Sequence, residues 1–249
     1  MVRRISLTYR KGDFMRGLMM VDLDGTLYST DAPYYRLADE LAAYIPALTR
    51  DDFLRRVHLH FSGKRPIPFG DNWDAVTRLA LIYEARPEGW LIAFERTREA
   101  MVASDMLNPL PPPVTRFLEW AGSQIRLVLV TNTPAAVAGP VLTRLKAWSL
   151  FHWISFAAQK PAGLFRLAHE AWDGPIDPRR TLSIGDHYDH DIGWPYRWGW
   201  TTAHISPRGQ RPGPTTFRAP TLEILLPALY DWVRALPAAD GAPVKRPLT

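Results

Sequence analysis

The stretch VDLDGTLYST, residues 21–30, ends the apolar run Gly17-Leu18-Met19-Met20-Val21 with two carboxylates one residue apart and a glycine behind them. The run reads as a short buried strand, so Asp22 and Asp24 stand where a strand ends and a loop begins. Alternate residues of an extended chain face the same way. Positions 22 and 24 can therefore look at one site while Leu23 points into the packing. Gly25 permits a sharp turn, and Thr26 can satisfy the turn's backbone. Asp and Gly are also what ordinary turns are made of, so the decapeptide alone leaves two readings, a decorated turn or a reacting pair.

Beyond this strand, PYYRLADELAAYI, RDDFLRRVHLHF, DNWDAVTRLALIYEA and EGWLIAFERTREAMVAS carry apolar residues at three-to-four spacing, separated by turn and breaker residues. Residues 33–104 are thus expected to be helical throughout. The block ends at the proline-rich Asn108–Pro113, a stiff connector suited to a hinge or domain crossing. Strand and helix then alternate. IRLVLVT (125–131) is a run of mainly apolar and β-branched residues, Pro134 to Trp148 reads as a helix, and 154–157 is a weaker strand. A helix is expected from Pro161 to Trp172, strands over 181–185 and 200–205, and an amphipathic segment over Pro220 to Arg234. The apolar character of 125–130, interrupted by Arg126 alone, implies burial on both faces, hence an α/β fold: a Rossmann-like parallel sheet flanked by helices, with the helical block inserted. The expected organisation is a basic extension over 1–16, a core over 17–30 and 110–236, a helical cap over 31–109 and a flexible tail over 237–249. In open parallel sheets ligands bind beyond the carboxyl ends of the strands, where Asp22 and Asp24 stand.

The chain has 249 residues, 47% of them hydrophobic, which is ample for a packed interior. It contains no cysteine, which removes disulfide frameworks, thiolate zinc clusters and thiol nucleophiles together. A reducing compartment, the cytoplasm, is the expected home. The basic N-terminus lacks the apolar stretch of a secretory signal, and no window approaches the length of a membrane span. The net charge of +5 is a mild bias toward anionic ligands and does not choose between a phosphorylated metabolite and a polynucleotide.

Three later strand ends carry chemistry. The run IRLVLV stops at Thr131-Asn132-Thr133-Pro134, a hydroxyl followed by backbone amides at the start of a helix, which is an anion site or simply an N-cap. Lys160-Pro161 precedes another helix, where the ammonium can act as a point charge for phosphate. Strand 181–185 runs into Asp186-His187-Tyr188-Asp189-His190-Asp191, three carboxylates and two imidazoles in six positions. Acidic groups so dense need a cation, and oxygen donors suit Mg²⁺ rather than zinc.

The order D-x-D-G-T, Thr-Asn, Lys-Pro and G-D-x-x-x-x-D, each at a strand end, resembles the haloacid dehalogenase-like phosphohydrolases over about residues 17–235. The resemblance implies that Asp22 is the nucleophile and forms an aspartyl-phosphate, and that Asp24 protonates the leaving oxygen and then activates water. It implies a Mg²⁺ site made by Asp22, the main-chain carbonyl of Asp24, Asp186 and Asp191, with Asp191 direct or through water. Thr131 and Asn132 would bind the transferring phosphoryl group and Lys160 would neutralise it. His187 and His190 depart from the Ser or Thr and the Asn that the family often has there. The inserted helices resemble the family's cap, which implies a small phosphorylated metabolite as partner and makes nucleic acid an unlikely one. Within that block Arg55, Arg56, Lys64 and Arg65 are candidates for contact with a second anionic group of the substrate, or are simply the solvated face of a helix. A phosphomutase using the same residues, and a non-catalytic binding module for nucleic acid or protein, are the alternative functions. The aromatic group Trp194, Tyr196, Trp198 and Trp200 is read as packing rather than as a stacking surface for bases.

Overall fold

The computed structural model describes residues 15–68, 70–172, 175–209 and 213–238. The extension expected over 1–16 and the tail expected over 237–249 lie almost wholly outside them. At the centre is a parallel sheet of six strands: β1 (Leu18–Val21), β2 (Arg126–Val130), β3 (Trp153–Ser155), β4 (Thr181–Gly185), β5 (Thr201–Ile205) and β6 (Phe217–Ala219). Their order is β3-β2-β1-β4-β5-β6, with every neighbouring pair parallel. The first strand therefore sits between β2 and β4, and their three carboxyl ends open on the same side.

The period of two in these strands sorts their side chains between two cores. Met19 and Val21 of β1 join Leu127 and Leu129 of β2 and Ile184 of β4 in the larger core. On that face the sheet packs against α5 (Pro112–Gly122), α6 (Ala135–Leu145) and α9 (Leu222–Ala235). Leu18, Met20, Val128 and Val130 point the other way, onto Leu164, Leu167, Ala168 and Ala171 of α7 (Ala162–Trp172). A strand buried on both faces has no room for polar alternation, which is why β1 and residues 127–130 of β2 are apolar throughout.

Four helices lie between β1 and α5 in the chain: α1 (Ala32–Ala42), α2 (Ala47–Phe61), α3 (Asn72–Ile82) and α4 (Gly89–Ala103). Aromatic rings knit them. Tyr34 of α1 stacks on Phe61 of α2 at 5.8 Å between centroids and meets Trp73 of α3 edge-on at 5.0 Å. Phe94 of α4 packs on Trp73 at 5.2 Å.

Several expectations are corrected. The connector is shorter than read, because Pro112 and Pro113 occupy the first turn of α5, where a missing N–H costs no helical hydrogen bond. That helix, whose stripe Val114, Phe117, Leu118 and Ala121 is buried, was not anticipated. The helix read from Pro134 to Trp148 ends at Leu145, where Lys146 turns left-handed (φ 55°), and 148–150 form a separate 3-10 turn. Strand β3 lies at 153–155 rather than 154–157. The aromatic group is divided: Trp200 is core, but Trp194 and Tyr196 in the short α8 (Gly193–Arg197) are exposed. No helix among the described residues is long and apolar enough to cross a membrane.

Candidate active site

The carboxyl ends of β1, β2, β3 and β4 supply the core groups of the site. Asp22 follows β1, and its amide donates to the Ile184 carbonyl of β4 at 3.0 Å. Its carboxylate accepts from Thr26 Oγ1 at 3.0 Å and from Lys160 Nζ at 2.6 Å. Leu23 is fully buried in the larger core, and the chain turns beneath it through the Leu27 N–H to Leu23 C=O bond at 3.0 Å. Gly25 adopts φ +77°, and a β-carbon there would lie 2.0 Å from Asp186 Oδ2. Glycine is required at this position both by the backbone and by the carboxylate pressed against it.

Thr131 follows β2 and is buried; its hydroxyl accepts from the Thr133 amide at 3.1 Å. Asn132 clasps the Lys160 segment: its Oδ1 accepts from the Lys160 amide at 2.7 Å and its Nδ2 donates to the Lys160 carbonyl at 3.3 Å. Lys160 reaches back to donate to Asp22 and to Asp191 Oδ1, each at 2.6 Å. Asp186 follows β4. Asp191 lies in a wide turn over 188–192, where Ser183 Oγ donates to its carbonyl at 2.7 Å.

These side chains line one cavity of about 250 Å³ that also takes in Thr133, Pro134, His187 and His190 from the core. The inserted helices and the turn before α3 supply Asp71, Trp73, Phe94 and Arg98 as its other wall. Asp22, Asp186 and Asp191 bring carboxylate oxygens within 4.8 Å of one another. Lys160 is their one ammonium partner among the hydrogen bonds formed here, and Asp191 Oδ2 is buried without a hydrogen-bond partner among the described residues. Like charges about 4 Å apart repel by about 4 kcal/mol at the effective dielectric of such sites. Three buried carboxylates against one cation therefore fit a hard divalent ion bound through oxygen.

A family model for haloacid dehalogenase-like hydrolases matches residues 19–194. The chain belongs to the haloacid dehalogenase-like hydrolases. No curated protein sequence matches it. Its fold is similar to that of the magnesium-bound haloacid dehalogenase-like hydrolase YfnB of Bacillus subtilis, at 18% identity and TM-score 0.58 over 88% of this chain and 99% of that one. It is also similar to a Thermotoga maritima protein named as a β-phosphoglucomutase, at 20% identity and TM-score 0.60 over 86% and 99%. A phosphatase of the same family from Thermococcus onnurineus matches at 19% identity and TM-score 0.52 over 86% and 98%. Dehalogenases are among the similar structures too. At these identities the likeness establishes the fold.

Electrostatics separates the two leading aspartates of this haloacid dehalogenase-like hydrolase. Burial pushes Asp22 up to about 7, with Asp191 and Asp24 adding to the rise and Lys160 opposing it. Asp186 is raised well above the carboxylate range by burial and by the charges of Asp71, Asp22 and Asp191. Burial would raise Asp24 as well, but three donors outweigh it and its carboxyl is held below the usual value. Oδ1 accepts from Arg98 at 2.5 Å and from Tyr28 Oη at 2.6 Å, and Oδ2 accepts from Thr133 Oγ1 at 2.7 Å.

Arg98, Tyr28, Thr133 and Asp71 were not singled out from sequence. One signal was present for Arg98: in GWLIAFERTREAMVA it shares a stripe with Phe94, Thr97 and Met101, a charge on the apolar face of a helix. The basic residues that were singled out do not line the cavity. Arg55 is exposed and pairs with Asp52, Arg56 donates to the Arg65 carbonyl at 2.5 Å, and Lys64 and Arg65 are exposed. Their spacing around α2 and the turn after it carries them to the outer surface of the helices. His187 and His190 stack face to face at 3.6 Å between centroids beside the acidic cluster.

Proposed function

We propose that this hydrolase is a Mg²⁺-dependent phosphatase that cleaves a small phosphomonoester through an aspartyl-phosphate. The observation carrying the reading is the second carboxylate. Asp24 faces the same cavity as Asp22 and has its own set of donors. Halide leaves carbon without a proton, so a dehalogenase has no work for such a group, whereas an alkoxide leaving phosphorus needs one.

An Asp22 oxygen bonds to phosphorus as the ester P–O bond breaks, and the leaving oxygen takes a proton from Asp24. Water then attacks the phosphorus of the aspartyl-phosphate and gives its proton to Asp24, restoring the Asp22 carboxylate and releasing inorganic phosphate. Thr131 and the Asn132 amide receive the phosphoryl oxygens, and Lys160 offsets their charge. Asp22, Asp186, Asp191 and the Asp24 carbonyl would hold Mg²⁺, which would supply the positive charge that lets a carboxylate approach a phosphate dianion. Helices α1–α4 act as the cap, with Trp73 and Phe94 closing the cavity to water, and its volume suits a small metabolite.

The test is phosphate release from a panel of phosphomonoesters with Mg²⁺ and with EDTA. Turnover that requires the ion supports the reading; no release from any ester with Mg²⁺ present sinks it. A phosphomutase would use the same residues and return the phosphoryl group to an acceptor hydroxyl. The similarity to a β-phosphoglucomutase favours including phosphosugars and analysing their products.

A further inference from the structure

Arg98 crosses from α4 to the core acid, and its surroundings are those of a binding group. Its guanidinium lies over the ring of Trp73 at 4.2 Å and over Phe94 at 4.9 Å, which fixes its plane and strips its water. Its side chain is 7% exposed, its Nη1 donates to Asp24, and its Nε has no hydrogen-bond partner among the described residues. A guanidinium offers five N–H groups in a fork that matches a carboxylate in two places, so this one is underused. Asp24 is not left without donors when Arg98 is withdrawn: Tyr28 and Thr133 still donate to its two oxygens. A carboxylate that must carry a proton to a leaving oxygen is also served poorly by a guanidinium at 2.5 Å.

We infer that Arg98 is the subsite for a carboxylate on the leaving group of the substrate, and that Asp24 occupies this subsite until the substrate carboxylate displaces it. The inference rests on the phosphatase reading only for the identity of the leaving group. Lys160 and Thr131 hold the phosphoryl end and Arg98 the other end, with Asp24 between them at the scissile oxygen. A neutral leaving group gives Arg98 nothing in exchange for Asp24, so the acid stays clamped. The substrate class is therefore a phosphorylated hydroxy acid.

The experiment compares 2-phosphoglycolate with 2-hydroxyethyl phosphate, and 3-phosphoglycerate with glycerol 3-phosphate, pairs that differ by a carboxylate against a CH₂OH. Binding is followed by tryptophan fluorescence in full-length protein carrying Asp22→Asn to prevent turnover. At least one carboxylate ester should bind tenfold or more tighter than its neutral partner. Adding Arg98→Gln should erase that preference, and Arg98→Lys should keep part of it. Equal affinities within both pairs overturn the inference, as does a preference that survives Arg98→Gln in a protein that still melts cooperatively. If Arg98→Gln does not fold, the ligand pairs in the parent and in Arg98→Lys decide. Wild-type phosphate release is scored separately. Preference without release keeps the subsite and sinks the phosphatase reading, while release with no preference does the reverse.

Discussion

Lys160 and Asp22 meet at 2.6 Å across 138 residues of chain, and the same ammonium donates to Asp191 at 2.6 Å. Lys160 is thus a structural tie between three strand ends, whatever it binds. Breaking a buried ion pair by removing one partner costs about 3–5 kcal/mol, because the charge left behind has no solvent. Lys160→Met leaves Asp22, Asp186 and Asp191 facing one another, so its thermal midpoint should fall well below that of the wild type in EDTA. Mg²⁺ should recover much of the loss by replacing the missing positive charge. Melting curves with and without the ion check this, and a midpoint indifferent to Mg²⁺ would argue against the acidic trio as the metal site.

The two leading aspartates should fail differently. On the proposed mechanism Asp22→Asn removes both the nucleophile and a metal ligand, so phosphoenzyme formation and Mg²⁺ affinity should be lost together. Asp24→Asn keeps the main-chain carbonyl and removes proton transfer, a contribution of about 10²–10⁴ in rate, together with the charge that pairs with Arg98. Its loss should be large for alkyl phosphates and small for 4-nitrophenyl phosphate, whose leaving group departs without a proton. Metal titration and a comparison of the two ester types measure both effects. If the variants behave alike, the division of labour is wrong.

Gly25 links the turn to the metal cluster. With φ +77° and Asp186 Oδ2 only 2.0 Å from where a β-carbon would stand, Gly25→Ala must both strain the backbone and push the carboxylate aside. A stability loss of about 1–3 kcal/mol, the range for strained backbone positions, should accompany weaker metal binding. Denaturant titration and Mg²⁺ titration report the two separately. A variant that loses stability and keeps its metal affinity would show that Asp186 can move without consequence.

The core of this site was legible because strand ends are local. Each of Asp22, Asp24, Thr131, Lys160 and Asp186 follows an apolar run whose burial is written in its composition, and a parallel sheet gathers such ends on one side. The wall made by the inserted helices was not legible in that way. Arg98, Trp73 and Phe94 reach the cavity through the rotation of whole helices, and helical periodicity says which residues share a face without saying what that face meets. Charge density is a poor guide for the same reason: Arg55, Arg56, Lys64 and Arg65 form the denser cluster and lie outside the cavity lining, yet the single cation on an apolar stripe is the one that reaches Asp24. Helix α5 escaped notice because its two prolines read as a connector, although they fall where a helix tolerates them.

His60 makes the acid limb of stability testable away from the metal site. It is fully buried in α2, where its Nδ1 accepts from the Ile67 amide at 2.9 Å and its Nε2 lies 3.3 Å from Asn72 Oδ1. The ring therefore serves as a neutral imidazole with its proton on Nε2. Burial, with nearby Arg208 and Arg56 adding to it, pushes its pKa down from 6.5 to about 4. The unfolded chain takes up a proton as pH falls through about 6.5, whereas the folded protein resists until about 4, so the unfolded state binds more protons across that window. Stability should decline as pH drops through the window and the contribution should level off below it. His60→Gln, which has no proton to take up there, should lose up to one proton from the pH slope while starting from a lower stability at pH 7. Urea unfolding at intervals between pH 7 and pH 4 measures the slope. A slope unchanged in His60→Gln would mean that His60 is protonated in the folded protein and that its bond from Ile67 is not maintained.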